Sequence, residues 1–315
     1  MKILIVGSKS RGRNCLQALC SRYQIVGAIV DAFGNAPDAQ DPFRQLAEQL
    51  KVPLFESVNF NDPEHIAVWK SLQPDLIMLT GASRIAQKNF LSVAKFGCVN
   101  LHGGKLPKYR GSSPMNWALI NDEKEFTICI VQVNEGIDSG DVLIEKTFPI
   151  LLTDTIKDLH EKANEAFPQM LLEVVDQMEK SLLRPRRQDP AGASYYPLRF
   201  PEDGLILWDV YTAREIHNRI RALTDPYPGA FTYYKARKIK LLKSSYTNHP
   251  FYGEPGRVYQ IKGERALVCA KDQCVWLDDF VDAETLEHIH PDVKRYEKLA
   301  TLRDNISVIY ENQRF

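Results

Sequence analysis

The chain opens with Met1-Lys2-Ile3-Leu4-Ile5-Val6-Gly7, followed by Ser8-Lys9-Ser10-Arg11-Gly12-Arg13. Lys2–Val6 is an unbroken apolar run, rich in β-branched residues, that stops at a glycine. This is the pattern of a strand buried on both faces of a parallel sheet. The polar stretch Ser8–Arg13 predicts a loop, and Asn14–Tyr23 predicts a helix. Gln24–Val30 repeats the apolar strand and ends at Asp31. Further outward, strands over Val52–Phe55, Asp75–Leu79 and Gly97–Leu101 alternate with helices over Asp41–Leu50, Glu64–Leu72 and Gln87–Ala94. The alternation predicts an α/β class: a Rossmann-like, mostly parallel sheet with helices on both faces and right-handed crossovers. Ligands of such sheets sit beyond the carboxyl ends of the strands. The loops Gly7–Gly12, Thr80–Arg84 and His102–Gly111 all lie at that edge and form the expected site.

Two further strands, Thr127–Val133 and Val142–Ile150, precede a long amphipathic helix over Thr153–Lys180. Thr153 or Asp154 caps it, and Ile156, Leu159, Ala163, Phe167, Leu171 and Val174 form its apolar stripe. Leu182–Ser194 holds two prolines, a glycine and a polar run, a composition that reads as a surface linker. Beyond it, Ala213–Leu223 reads as a helix. Ala230–Tyr234, Lys238–Ser244, Arg257–Lys262, Ala266–Ala270 and Cys274–Leu277 read as five short strands. Such a series predicts a small antiparallel β-barrel, OB-like. Ala283–Leu302 reads as a charged helical tail. The expected organisation is a catalytic domain over 1–190, a linker over 191–212 and a smaller C-terminal barrel with helical tail over 213–315.

Lys+Arg and Asp+Glu both total 40 in the 315 residues, a formal net charge of zero. Proteins that grip phosphate backbones usually carry a positive excess, so nucleic acid is disfavoured as a partner. The six cysteines form no CxxC pair and no His/Cys cluster at zinc spacing, which predicts reduced thiols packed near a core. His288 and His290 lack a third ligand, so no metal site is expected. The amino terminus lacks signal-peptide order, and no segment approaches the roughly 20 apolar residues that span a bilayer. The expectation is a cytoplasmic protein with no membrane partner.

Chemistry concentrates in Val99-Asn100-Leu101-His102-Gly103-Gly104-Lys105-Leu106-Pro107-Lys108-Tyr109-Arg110-Gly111. Asn100 and His102 are two apart at a strand end, and residues two apart in a strand share a face. An amide donor and an imidazole can therefore converge on one ligand atom. A second stretch, Asn134-Glu135-Gly136-Ile137-Asp138-Ser139-Gly140-Asp141, has two glycines that allow a tight loop to bring a carboxylate back to the same edge. Asn, His and Asp around one point suit acyl transfer to an amine. Asn100 and protonated His102 can donate to the oxygen on which charge builds, and Asp138 can orient His102 and help remove the amine's proton. Taken singly, an Asn-x-His pair or an Asp in a Gly-rich turn more often serves only its own loop.

Together, NLHGGKLPKYRGSSPMNWAL and VNEGIDSGDVL resemble the signature of the 10-formyltetrahydrofolate-dependent formyltransferases: Asn-x-His, then Leu-Pro-x-Tyr-Arg-Gly-x-x-Pro, then Asp before Gly. The resemblance implies that Asn100, His102 and Asp138 are the catalytic trio. It implies that 10-formyltetrahydrofolate is the co-substrate, contacted by Ser83, Arg84 and Ile85 after the third long strand and by Val133, Asn134, Glu135 and Gly136. One departure is Gly104-Lys105, where the family often has Ser-Leu. Phe200–Trp208 and Ile216–Phe231 resemble the second domain shared by methionyl-tRNA formyltransferases and the formyltransferase half of the aminoarabinose enzyme of lipid A modification.

The acceptor divides the family. The stretch Asp31–Asp41 contains no Lys or Arg, where a tRNA-binding member is expected to carry a longer basic loop. Ser8, Lys9, Ser10 and Arg11 at a helix start, with Lys108, Tyr109, Arg110 and Gly111, supply amides and cations suited to a diphosphate. The expected acceptor is therefore a nucleotide-linked amino sugar (dTDP-, UDP- or GDP-linked). Methionyl-tRNA and a free amino acid such as ornithine are the alternatives, and a catalytically idle folate- or nucleotide-binding module is the non-enzyme reading. A homodimer contact is the role considered for the tail.

Overall fold

A computed structural model describes residues 1–31, 38–56, 59–235, 237–288, 292–302 and 304. By contact density the chain divides into two units. The first holds 1–114, 125–149 and 160–197, and the second holds 115–124, 150–159 and 198–315.

In the first unit, strands β1 (Lys2–Gly7), β2 (Gln24–Val30), β3 (Leu54–Glu56), β4 (Leu76–Thr80), β5 (Cys98–His102), β7 (Glu125–Gln132) and β8 (Val142–Pro149) form one sheet in the order β3-β2-β1-β4-β5-β7-β8. The first five run parallel; β7 pairs antiparallel with β5 and with β8. The expected mostly parallel sheet is present. β1 beyond Lys2, all of β4, and β5 apart from Asn100 are buried, as the continuous apolar runs require. A cluster of Leu4, Val6, Ile29, Phe60, Trp69, Ile77, Leu79 and Phe90 fills one face, with Ala82 and Val133 packed against it. The order reverses direction between β1 and β4, the topological switch point at which ligands of such sheets bind.

Helices α1 (Lys9–Cys20), α2 (Pro42–Gln49), α3 (Pro63–Ser71), α4 (Lys88–Leu91), α5 (Pro114–Ile120) and α6 (Ile156–Glu179) follow the expected pattern, with differences at their ends. Ser8–Arg13 is not a loop: α1 begins at Lys9, with its N–H donating to Asp41 Oδ2 at 2.8 Å. The same carboxylate caps α2 through the amides of Phe43 (2.9 Å) and Arg44 (3.2 Å). The short helix α5 is not expected from the sequence pattern. Leu182–Ser194, which reads as a surface linker, is pinned instead: Arg186 bridges to Val142 on the edge of β8, and β6 (Arg110–Gly111) pairs with β9 (Tyr195–Tyr196).

The second unit contains α7 (Ala213–Leu223) and a five-stranded antiparallel sheet. The strands are β10 (Ala230–Tyr234), β11 (Arg237–Ser245), β12 (Val258–Lys262), β13 (Arg265–Cys269) and β14 (Cys274–Asp282), in the order β10-β11-β14-β13-β12. Thr212 and Glu215 form a reciprocal capping box at the start of α7. Trp208 is fully buried and its indole N–H donates to Thr232 Oγ1 at 3.0 Å, the partner a buried Trp needs. The helix expected over Ala283–Leu302 is absent from the described residues up to 301, and only Leu302 and Asp304 beyond them are helical. The described part of 283–301 contains turns and two isolated bridges, Val281 to His288 and Arg257 to Lys298, and no helix. Pro291 falls in the middle of this span, and a proline inside a helix removes a hydrogen bond and clashes with the preceding turn, which works against one long helix there. His290 lies outside the described residues. All six cysteines are free, and five of them are buried. No described helix is long and apolar enough to cross a membrane.

Candidate active site

β5 carries Asn100 and His102 on one face at the carboxyl edge of the sheet. Asn100 is half-buried and His102 is 4% exposed. The carboxylate of Asp138 meets both: His102 Nδ1 lies 3.5 Å from Oδ2, and Asn100 Nδ2 lies 3.5 Å from Oδ1. The structure thus brings together the three residues singled out from the sequence. His102 Nε2 lies 2.7 Å from the carbonyl oxygen of Tyr109. Both ring nitrogens therefore face acceptors, an arrangement that an imidazolium satisfies with its two N–H groups. At Gly104, where the sequence departs from the resemblance, this chain's backbone is packed closely. A Cβ there would stand 2.8 Å from both His102 Nε2 and the Tyr109 carbonyl oxygen, so glycine lets that carbonyl reach the imidazole.

Asp138 is delivered by the tight loop after β7. Its φ is +45°, in the left-handed region that non-glycine residues seldom occupy. The loop is held by Asn134 Oδ1, which accepts from Gly136 N–H (3.0 Å) and Ser139 Oγ (2.8 Å). Gly140 has no alternative: a Cβ would fall 1.8 Å from the Gln132 carbonyl oxygen. Gly111 N–H donates to Asp138 Oδ2 at 2.9 Å, fixing the carboxylate from the other side. Three donors on one carboxylate keep it oriented.

The folate candidates converge on the same edge. Val133 and Ala82 pack against one apolar cluster, and Lys88 at the start of α4 makes an exposed ion pair with Glu135 in the loop after β7 at 3.3 Å. Ser83 donates through N–H (2.5 Å) and Oγ (2.7 Å) to Asp31, a buried carboxylate at the end of β2. Arg84, Asn134, Glu135 and Gly136 are all exposed. Ile85 is 66% and Ile137 49% exposed, and Gly81 opens onto free space at φ +119°. Uncovered apolar side chains beside irregular backbone fit a flat heterocycle.

The acceptor candidates fare differently. Arg11 is taken up by α6: its Nε donates to Asn164 Oδ1 at 3.0 Å, its Nη2 lies 3.2 Å from His160 Nδ1, and its guanidinium covers Phe167. Lys9 N–H donates to Asp41, and Ser8, Lys9, Ser10 and Arg11 stand at the start of α1. Arg110 is 4% exposed and engaged by Gln188 and Tyr195. Tyr109 stacks on Tyr196 with ring centroids 4.7 Å apart. Lys108 is exposed, and Gly111 serves Asp138. Within the second unit, a cavity of about 950 Å³ is lined by His217, Arg221, Tyr227, Lys240, Lys243 and Tyr246, among others.

Sequence reasoning missed Asp31, Asp41 and Gln188. Each acts on backbone amides or carbonyls far along the chain, and a single carboxylate or amide carries no spacing signature that would reveal this. Among the described residues the only cluster with three potential metal ligands within reach of one another is Asp62, Glu64 and His65 at the start of α3, away from the trio in sequence and element.

Residues 1–175 match the family described as Formyl transferase, and residues 200–285 match Formyl transferase, C-terminal domain. The methionyl-tRNA formyltransferase of Citrifermentans bemidjiense is 31% identical over 281 residues, covering 86% of this chain and 83% of its own length. That of Pelotomaculum thermopropionicum is 33% identical over 278 residues, covering 85% of this chain and 86% of its own. The N-formyltransferase from Helicobacter canadensis, solved with folinic acid and dTDP-3-aminofucose, shares the fold. Its TM-score is 0.70 at 18% identity, covering 88% of this chain and 98% of that one. The family match spans most of the first unit and the site within it, and members of that family take their one-carbon unit from 10-formyltetrahydrofolate, so this chain belongs to the formyl transferases and is an enzyme of folate-dependent formyl transfer.

Proposed function

We propose that the chain formylates the α-amine of methionyl-tRNA, using the Asn100–His102–Asp138 trio. The observation that carries the acceptor is the identity of 31–33% to proteins named methionyl-tRNA formyltransferase, extending through both family segments rather than the catalytic one alone. Supporting it, β11 carries Arg237, Lys238, Lys240 and Lys243 within nine residues, and two of these line the cavity of the second unit. Arg237 is paired with Asp282 and Asp292, which leaves Lys238, Lys240 and Lys243 as the cations this strand offers, and such a local group is compatible with a zero net charge.

In the proposed step the acceptor nitrogen bonds to the formyl carbon and the bond from that carbon to N10 of the folate breaks. Asn100 Nδ2, through the N–H not directed at Asp138, donates to the formyl oxygen as charge builds on it, and His102 Nε2–H joins it by exchanging the Tyr109 carbonyl for that oxygen. Asp138 holds the imidazole and accepts the proton that the amine loses, which passes on to the departing folate nitrogen.

A second reading, a nucleotide-linked amino sugar, rests on Asp31–Asp41, which offers no Lys or Arg for a polyanion as large as tRNA. Incubating the purified chain with 10-formyltetrahydrofolate and, separately, methionyl-tRNA or a dTDP- or UDP-linked amino sugar separates the two. Formylmethionyl-tRNA is the expected product; formylation of the sugar alone would overturn the proposal.

A further inference from the structure

Gln188 lies in the stretch whose composition reads as a linker, yet it is only 5% exposed. Its side-chain amide is fully used. Nε2 donates to the carbonyls of Asp138 (2.8 Å) and Gly140 (2.6 Å), while Oε1 accepts from Arg110 Nε (3.1 Å) and Nη2 (2.8 Å). Two N–H donors and two lone pairs are all an amide has. Arg110 is fixed in turn by Tyr195, whose hydroxyl accepts from Nη1 at 2.8 Å and whose ring lies under the guanidinium.

We propose that Gln188 is a positioning residue for formyl transfer, holding the Asp138–Gly140 turn in the geometry that presents the Asp138 carboxylate to His102 and Asn100. The turn needs holding. Asp138 sits at φ +45°, a conformation that is strained for an L-residue and persists only where the surroundings enforce it. The adjoining residues Arg110 and Gly111 grip the same turn from two directions. Gly111 N–H binds the Asp138 carboxylate, and the Arg110 side chain acts through Gln188 on the Asp138 main chain. Arg110, an acceptor-binding candidate from the sequence, is the anchor of this relay. Gln188 does not touch the reacting atoms. A displacement of about 1 Å in a reacting group can cost on the order of 100-fold in rate, so a residue acting only through Asp138 has measurable leverage on kcat.

The proposal rests on Asp138 being part of the catalytic trio, and the test separates the two claims. Gln188→Glu is isosteric and keeps an acceptor for Arg110, but the ionised carboxylate cannot donate to the two carbonyls. Formyl transfer from 10-formyltetrahydrofolate is measured for the wild type, Q188E, D138N and the double variant. The acceptor is whichever of methionyl-tRNA and a dTDP-linked amino sugar the wild type uses. Q188E is expected to lose roughly 10- to 100-fold in kcat at neutral pH, with KM for the folate changed less than about threefold. Relative to wild type at the same pH, Q188E recovers as pH falls and its introduced carboxyl gains an O–H donor, whereas Gln188→Leu shows no such recovery. In the D138N background Q188E adds little further loss, because both act through one group. Wild-type kcat in Q188E, or parallel pH profiles for Q188E and Q188L, would overturn the positioning role. Full activity in D138N would overturn the trio itself, whatever Q188E does.

Discussion

His102 and Asp138 face each other at 3.5 Å between Nδ1 and Oδ2, while the far nitrogen of the same imidazole lies 2.7 Å from the Tyr109 carbonyl oxygen. The ring is clamped at both ends by acceptors, and its orientation is set before any substrate arrives. Asn100 approaches the other oxygen of the same carboxylate. The site is therefore built as two donors flanking one acid, which suits stabilising a developing oxyanion and removing a proton in one place.

Asn100→Ala removes one of the two donors to the formyl oxygen. The expected result is a loss of about 100- to 1000-fold in kcat, with the melting temperature within a few degrees of wild type, since Asn100 is only half-buried. Steady-state kinetics with a thermal melt checks both halves of this expectation. A loss confined to KM would assign Asn100 to ground-state binding instead.

His160 gives the first unit a pH-dependent element. Burial, with the charges of Arg11 and Lys9, pushes its pKa down from 6.5 to about 4, and Arg11 Nη2 donates to its Nδ1 lone pair. A folded pKa below the unfolded value means that the unfolded chain binds the extra proton first. Stability is complete above about pH 6.5 and declines as pH falls from there toward 4. Urea denaturation between about pH 7.5 and 4.5 is expected to show this decline, and His160→Asn to flatten it. Equal slopes in the two proteins would remove His160 as the source.

Gly140→Ala places a methyl group 1.8 Å from the Gln132 carbonyl oxygen. The backbone must shift, and with it Asp138 two residues away. A destabilisation of about 1–3 kcal/mol is expected, together with loss of most activity. A chemical-denaturation midpoint and a turnover measurement on the same preparation test it; an unaltered protein would mean that the loop is looser than its hydrogen bonds indicate.

The chemistry assigned to the trio uses hydrogen-bond donors and a carboxylate already engaged by Gly111 N–H. Dialysis against EDTA is therefore expected to leave turnover unchanged. A loss restored by a divalent cation would require a metal in the step and contradict the assignment.

The parts of the fold written in contiguous residues were legible in the sequence. The apolar runs Lys2–Val6 and Asp75–Leu79 correspond to β1 and β4, and the Ala213–Leu223 helix has the expected ends. The pairing of Asn100 with His102 followed from the two-residue period of a strand. What stayed hidden is what depends on distant partners. The helix start at Lys9 could not be read because its cap, Asp41, lies 32 residues away. The partners of Arg11 and Arg110 could not be read because a cation's sequence neighbours do not reveal that Asn164 and Gln188 will bond it. The charged tail read as helix because a high charge content is shared by solvated helices and by irregular chain joined to strands through isolated bridges.

The central claim is that Asp138, held against His102 and Asn100, is required for the transfer step itself. Single-turnover formyl transfer by Asp138→Asn tests it most directly, because the amide keeps the side chain's shape but can neither take a proton nor match an imidazolium. The account predicts a rate at least about 100-fold below wild type, with folinic acid still bound and the melting temperature preserved. A single-turnover rate within a few-fold of wild type would contradict it.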